Sequence, residues 1–202
     1  MIEVEIKVKI SDPEVMINKF KDHGGIYKLS LYHEDTYFNM PKGLRDFKET
    51  DEALRLRKSV EIDKFDNPIE KRINYYITYK GKKIDITTKT REEIDVKIED
   101  IEKIRHMLKL LGFQEIFTVK KERELFEFEF QTYHIEALID YIPILEQYFI
   151  EVEYLVESAE NLNSSREILF EFLTLFDIKK EESIRKSYLE LISDKFKGEL
   201  KK

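Results

Sequence analysis

Two segments near opposite ends of the chain carry paired carboxylates at strand spacing: Glu3 and Glu5 within Ile2–Ile10, and Glu151 and Glu153 within Ile150–Tyr154. Both alternate aliphatic and charged residues, and a period of two places every second side chain on one face of a β-strand. Carboxylate oxygens are hard donors suited to Mg2+ or Mn2+. The same alternation elsewhere carries cations: Arg55 and Arg57, Lys80 beside Thr78, Lys89 and Arg91 beside Glu93, and Lys121 with Arg123. Arginine forks hold phosphate oxygens in pairs, whereas Lys7, Lys80 and Lys121 act as point charges. Carboxylates and cations together suit metal-assisted handling of a polyanion such as a triphosphate, with electrostatic positioning as the main source of catalysis.

Other routes to phosphate chemistry are missing. There is no Walker A sequence, and Gly81-Lys82-Lys83 reads as a turn. The four histidines, at 23, 33, 106 and 134, have no ligand spacing. Cysteine is absent, which excludes disulfides, thiol catalysis and Cys-ligated zinc. The net charge of −7 argues against a surface for nucleic-acid polymers but leaves room for a local basic cavity. A strand pattern beginning at residue 2 and the lack of a long apolar run point to a soluble, cytoplasmic protein without a membrane partner.

These side chains need strands to hold them. The alternation predicts strands over Tyr27–Phe38, Ala53–Val60, Ile73–Lys80, Ile84–Ile98, Ile116–Phe130, Tyr133–Ile139 and Phe149–Val156, in addition to the first. Helices are expected after Ser11-Asp12-Pro13, over Glu99–Leu111, Ala159–Phe176 and Glu181–Phe196, with glycines 24–25 and 112 as stops. Loops fall at Asp66-Asn67-Pro68 and Gly81–Lys83, and the Lys-rich C-terminus reads as a solvated tail. Strands first and helices last make an α+β chain, at 202 residues one domain, with residues 158–196 packed on a barrel. Hydrophobic residues at 42% suffice for a core, while 38% charged is far above the usual quarter. If the apolar strand faces pointed inward, the apolar helix stripes would have nothing to cover. Turned inside out, the eight-stranded antiparallel barrel has a charged lumen and helices on its outer wall. A faint repeat supports this: Val8-Lys9-Ile10, a helix, a glycine and a strand recur from Val96, offset by 88 (96 − 8). Under that offset Glu3, Glu5 and Lys7 fall on Arg91, Glu93 and Asp95, and His33 and Asp35 on Lys121 and Arg123.

The residues resemble a known family. Glu3-x-Glu5-x-Lys7 is similar to the ExExK signature of the CYTH superfamily, the triphosphate tunnel metalloenzymes. The resemblance continues through His33–Phe38, Ala53–Arg57, Thr78–Gly81, Arg91–Glu93, Lys120–Arg123, Glu151–Glu153 and Lys186–Glu190. It implies a tunnel that binds triphosphates with Mg2+ or Mn2+. By resemblance, Glu3, Glu5 and Glu153 would be metal ligands, with Glu151 nearby and Asp140 as the acidic residue before the last strand. Glu93 joins this acidic set. Lys7, Arg55, Arg57, Lys80, Arg91, Lys121 and Arg123 would bind phosphate, and Lys7 and Glu5 would be catalytic. The segment Ile144–Tyr148 lacks the Leu-Gly of the cyclase-like members.

Three functions compete. The favoured one is a metal-dependent triphosphatase acting on tripolyphosphate, thiamine triphosphate or ATP. The second is a class IV adenylyl cyclase that makes cyclic AMP and pyrophosphate. The third is a noncatalytic polyphosphate or nucleotide sensor. Abundant Tyr and Phe also leave room for a homodimer interface.

Overall fold

The computed structural model describes residues 2–62, 72–85, 87–156 and 162–199. The chain runs β1 (Ile2–Ile10), α1 (Pro13–Asp22), β2 (Ile26–Asn39), β3 (Ala53–Ile62), β4 (Arg72–Lys80) and β5 (Arg91–Ile98). It continues with α2 (Ile101–Leu110), β6 (Gln114–Phe130), β7 (Tyr133–Ile142), β8 (Gln147–Val156), α3 (Leu162–Thr174) and α4 (Tyr188–Glu199). The strands close into an antiparallel barrel in the order β1-β5-β4-β3-β2-β6-β7-β8. The loop expected at residues 66–68, the helix start at 159 and the end of the Lys-rich tail lie outside the described residues.

The barrel is inside out, as the alternation requires. Val4, Ile6, Val8 and Ile10 of β1 face outward and join Phe20 of α1 and Leu169, Phe172 and Leu173 of α3 in the largest apolar cluster. Each such side chain stabilises the fold by about 1.5–3 kcal/mol when fully buried. Phe20, Phe126, Phe128, Phe172 and Phe176 stack edge to face within it. Helix α2 covers Leu56, and α4 covers Val119 and Phe149. Among the described residues no helix is long and apolar enough to cross a membrane.

Both helices that follow a first-of-half strand are built alike. Asp12 accepts the Val15 N–H at 3.0 Å to cap α1, and Asp100 accepts the Lys103 N–H at 3.0 Å to cap α2. Gly24 and Gly112 then both turn the chain at φ 85, a left-handed conformation that favours glycine.

Strand register turns the faint repeat into a structural two-fold. Glu3 pairs with Arg91 and His33 with Lys121, so each faces the residue 88 positions on (91 − 3 and 121 − 33). The axis therefore passes through both pairs. It carries Asp35–Arg57 of β2–β3 onto Arg123–Asp140 of β6–β7, and Glu93–Lys80 of β5–β4 onto Glu5–Glu153 of β1–β8. The layout is symmetric but the charges are not.

Two elements are shorter than the sequence suggested. Alternation predicted strand from Ile84, yet β5 begins at Arg91. Asp85 accepts the N–H groups of Thr87 and Thr88 at 2.7 and 2.8 Å and folds the chain into a turn first. The helix expected over Glu181–Phe196 is a 3-10 turn at Lys180–Glu182, an extended strap, and then α4. Ile184 donates its N–H to the Lys7 carbonyl at 2.7 Å, a long-range bond incompatible with helix there.

His33 lies on the two-fold axis, 4% exposed, with Nε2 3.0 Å from Ser59 Oγ and no hydrogen-bond partner for Nδ1. Burial, then the Arg57 and Lys121 charges, hold its pKa well below 6.5, so the folded imidazole stays neutral. The unfolded chain takes up that proton below pH 6.5, so the stability present above 6.5 is lost as pH falls toward the depressed folded pKa. His33→Gln should remove about 1.4 kcal/mol of acid sensitivity per pH unit below 6.5. Denaturant melts of both proteins at pH 7.5, 6 and 5 measure it, and parallel stability curves would contradict this account.

Candidate active site

The lumen opens as a cavity of about 670 Å³. Its walls carry the charged faces of the strands, and its mouth takes in residues 37–39, 46–48 and 51–53, Lys83 and the start of α4. Basic side chains (Lys7, Arg55, Arg57, Lys80, Lys89, Arg91, Lys121, Arg123) project inward against acidic ones (Glu3, Glu5, Asp35, Glu93, Asp95, Asp140, Glu151, Glu153). Water cannot screen charges so enclosed, so each needs a partner.

The partners fall into three groups. Asp35 is held by both forks of Arg57, Nε at 2.6 Å and Nη2 at 2.7 Å, and by Arg55 Nη1 at 3.3 Å. Burial opposes its ionisation, but Arg57 and Arg55 keep its pKa well below the usual carboxylate range. Asp140, fully buried, takes Arg123 Nε at 2.6 Å and Nη2 at 2.7 Å, and the Tyr188 hydroxyl donates to it at 2.8 Å. Lys80 bonds Glu93 at 2.5 Å and lies 3.6 Å from Glu3. Arg91 donates to the Gly81 carbonyl at 3.3 Å.

The remaining carboxylates, Glu5, Glu151 and Glu153, place one oxygen each within 4.8 Å of one another. Burial opposes ionisation of Glu151, but Lys89 and Lys7 hold its pKa well down. Glu5 is pushed up by burial and by Glu151, even though Lys89 bonds it. Burial pushes Glu153 up to about 7 against the pull of Arg123, with Glu5 and Glu151 adding to the rise. Glu5 and Glu153 are thus two carboxylates set opposite each other, with Lys89 bonded to the first and Arg123 Nη1 3.7 Å from the second, while Arg123 also bonds Glu151. The pseudo-equivalent pair, Glu93 with Lys80, has its cation built in. Three converging hard oxygen donors fit a divalent ion such as Mg2+ or Mn2+.

Of the acidic residues proposed from sequence, Glu5, Glu151 and Glu153 converge, Glu3 and Glu93 meet at Lys80, and Asp140 meets Arg123. Lys7 Nζ lies 3.4 Å from Glu151 and donates to the Lys186 carbonyl at 3.0 Å, while Lys121 lies 3.5 Å from Asp140. Three participants escaped the sequence-based site set. Lys89 bridges Glu5 and Glu151; it shares the alternation of Arg91 and Glu93 but lies before the strand proper. Asp35 sits in the His33–Phe38 motif and anchors two arginines. Tyr188 spreads its ring over Lys7 Nζ at 3.6 Å and stacks on Phe149.

A model of the CYTH domain matches residues 1–188. The chain belongs to the CYTH family. This CYTH chain is 43% identical over 192 residues to MJ0240 of Methanocaldococcus jannaschii, which is named as a candidate adenylate cyclase; the match covers 95% of this chain and 98% of that one. The solved structure of PH1819 from Pyrococcus horikoshii OT3 is 34% identical, with a TM-score of 0.81 over 96% of this CYTH chain and 99% of that one. HpAC1 from Hippeastrum, a candidate adenylyl cyclase whose structure is described with a dominant triphosphatase activity, shares the CYTH fold at 15% identity, with a TM-score of 0.61 and 95% of each chain covered.

Proposed function

We propose that this chain is a divalent-metal-dependent triphosphatase that cleaves a triphosphate inside the barrel. The observation that carries the reading is the convergence of Glu5, Glu151 and Glu153, enclosed in one lumen with arginines and lysines. With its basic and acidic side chains in near balance, the lumen is near electroneutral before any ligand arrives. A triphosphate adds several negative charges, so it must bring a compensating cation. A simple phosphate-binding module would instead be strongly basic, which counts against a noncatalytic sensor.

In this reading Glu5, Glu151 and Glu153 hold Mg2+ or Mn2+, with Glu3, Glu93 and Asp140 supporting the cations around them. When bound, the metal supplies charge neutralisation and Lewis acidity at the phosphoryl oxygens. Arg55, Arg57 and Arg123 align the phosphate chain by paired hydrogen bonds; Lys80, Arg91 and Lys121 add charge. Burial, then the Lys89 charge, bring Lys7 down to about 7, and its fully buried amine supports Glu151 from 3.4 Å behind the Tyr188 ring. The same burial, with Arg123, brings Lys121 to about 8. The mouth adds Tyr37, Phe47, Ile116 and Leu189, apolar surface that suits the organic part of a nucleoside or thiamine triphosphate.

The likeness to MJ0240 favours a second reading, adenylyl cyclase. The two differ in which phosphorus meets the nucleophile. Phosphorus-31 NMR of the protein with Mg2+ or Mn2+, given tripolyphosphate and ATP separately, decides between them. Orthophosphate plus pyrophosphate from tripolyphosphate is the expected result. Cyclic AMP with pyrophosphate from ATP would replace it with the cyclase, and no turnover of either would sink both.

A further inference from the structure

Lys89 bridges two of the three converging carboxylates, donating to Glu5 and, at 2.9 Å, to Glu151. The other cations that reach this cluster are anchored outside it. Arg123 is tied to Asp140 through Nε at 2.6 Å and Nη2 at 2.7 Å. Lys7 donates to the Lys186 carbonyl at 3.0 Å beneath the Tyr188 ring, and Lys121 lies 3.5 Å from Asp140. Lys89 has no such anchor. Among the described residues its ammonium bonds Glu5 and Glu151 alone, and the Tyr188 ring is 5.8 Å away.

The backbone that carries this side chain is fixed. Lys89 donates its N–H to the Glu5 carbonyl at 3.0 Å. The Thr87 carbonyl accepts from Ser183 Oγ at 2.9 Å, and the Thr88 carbonyl from Arg185 Nε at 3.4 Å. Arg166 of α3 holds Asp85 at 2.7 Å, at the start of the same turn. Movement is left to the four-carbon stem, a flexible chain carrying a compact charge. That side chain lines the same cavity as Arg55, Arg57 and Arg123.

A divalent ion on Glu5, Glu151 and Glu153 needs oxygens that Lys89 holds. Two cations on one pair of carboxylates repel each other strongly where little water screens them. The ion carries twice the charge and gains Glu153 as a third donor, so the ammonium is the one to leave. Turned from the carboxylates inside the lumen, it needs another acceptor, and phosphate oxygens are suited to it. We propose that Lys89 and the divalent ion compete for Glu5 and Glu151, and that the ion's arrival hands the Lys89 ammonium to the triphosphate. Resting on the metal site proposed above, this exchange couples the two ligands. The metal readies a phosphate contact, and a phosphate that draws Lys89 away favours the metal in return.

NMR of the lysine ammonium groups follows the exchange without any turnover. In the wild type the Lys89 Nζ signal, assigned through its side-chain carbons, should shift or broaden in step with added Mg2+. The Lys83 signal, held by Asp51 and Glu190 at the mouth, should stay in place. Adding a non-hydrolysable triphosphate with Mg2+ should move the Lys89 signal again, and no second change would overturn the hand-over. Binding of Mn2+ without triphosphate, read by electron paramagnetic resonance, should tighten at least about tenfold in Lys89→Met. Lys121→Met removes a charge 3.9 Å from Glu151 but leaves Lys89 in place, and should tighten it less. Equal gains in the two variants would mean a general field effect and overturn the competition. Thermal melts separate this outcome from failure of the metal site. Mg2+ that raises the melting temperature but leaves the Lys89 signal unmoved overturns the exchange alone, whereas Mg2+ that changes neither sinks the metal site with it. If Lys89→Met does not fold, the wild-type titration decides alone.

Discussion

Glu5→Gln is expected to lower turnover at least about a thousandfold, the scale set by loss of one well-placed electrostatic group. The same change should leave the melting temperature unchanged or raise it. Both outcomes come from one cause. Burial and the neighbouring Glu151 push the Glu5 carboxyl up, so its charge is held at a cost in the cluster. A neutral amide removes that repulsion, and Lys89 keeps its bond to Glu151 at 2.9 Å. With the charge goes a ligand oxygen of the proposed metal site. Thermal melts with and without Mn2+ separate the effects: a metal that binds only the native state raises stability with its concentration. The wild type should show that rise and Glu5→Gln should lose most of it. A variant that keeps both turnover and the Mn2+ shift would refute the assignment.

Arg123→Leu is expected to produce the largest stability loss, about 3–5 kcal/mol, the cost of stripping one partner from a buried ion pair. Asp140 is fully buried and takes two Arg123 hydrogen bonds at 2.6 and 2.7 Å. Without the guanidinium, only Tyr188 and the more distant Lys121 remain to it. Following the change with Asp140→Asn should recover part of the loss, because one of the two carboxylates that Arg123 holds is then neutral while Glu151 keeps Lys89 and Lys7. Urea melts without ligand measure all three proteins. Equal stability of Arg123→Leu and wild type would show that the pair contributes nothing net.

The lumen was legible because strand geometry is local. A period of two places Glu3, Glu5 and Lys7 on one face whatever lies beside them, and the unpaired helix stripes then decide which face is inside. The partners were not legible, because they depend on register between strands far apart in sequence. Nothing near Asp35 announces that Arg57 will grip it with both forks, or that Lys89 will bridge Glu5 and Glu151. The misread segments fail for the same reason. Helical spacing continues through Ile184, but a bond to the Lys7 carbonyl at 2.7 Å overrides it. Alternation continues back to Ile84, but Asp85 closes a turn on Thr87 and Thr88. The family resemblance brought the distant positions together where local patterning could not.

The inverted charges about the two-fold axis constrain how such a barrel could arise. If two identical half-chains had assembled it, every residue would occur twice, and Asp35–Arg57 could only be repeated. Here the counterpart reads Arg123–Asp140, and Glu93–Lys80 answers Glu5–Glu153. A pair of identical halves could not offer three converging carboxylates on one side and a Glu–Lys pair on the other. That distinction requires two halves free to mutate separately. Divergence of the halves is therefore what gives the lumen a direction and, in the proposed reaction, a means to tell one end of a linear phosphate chain from the other.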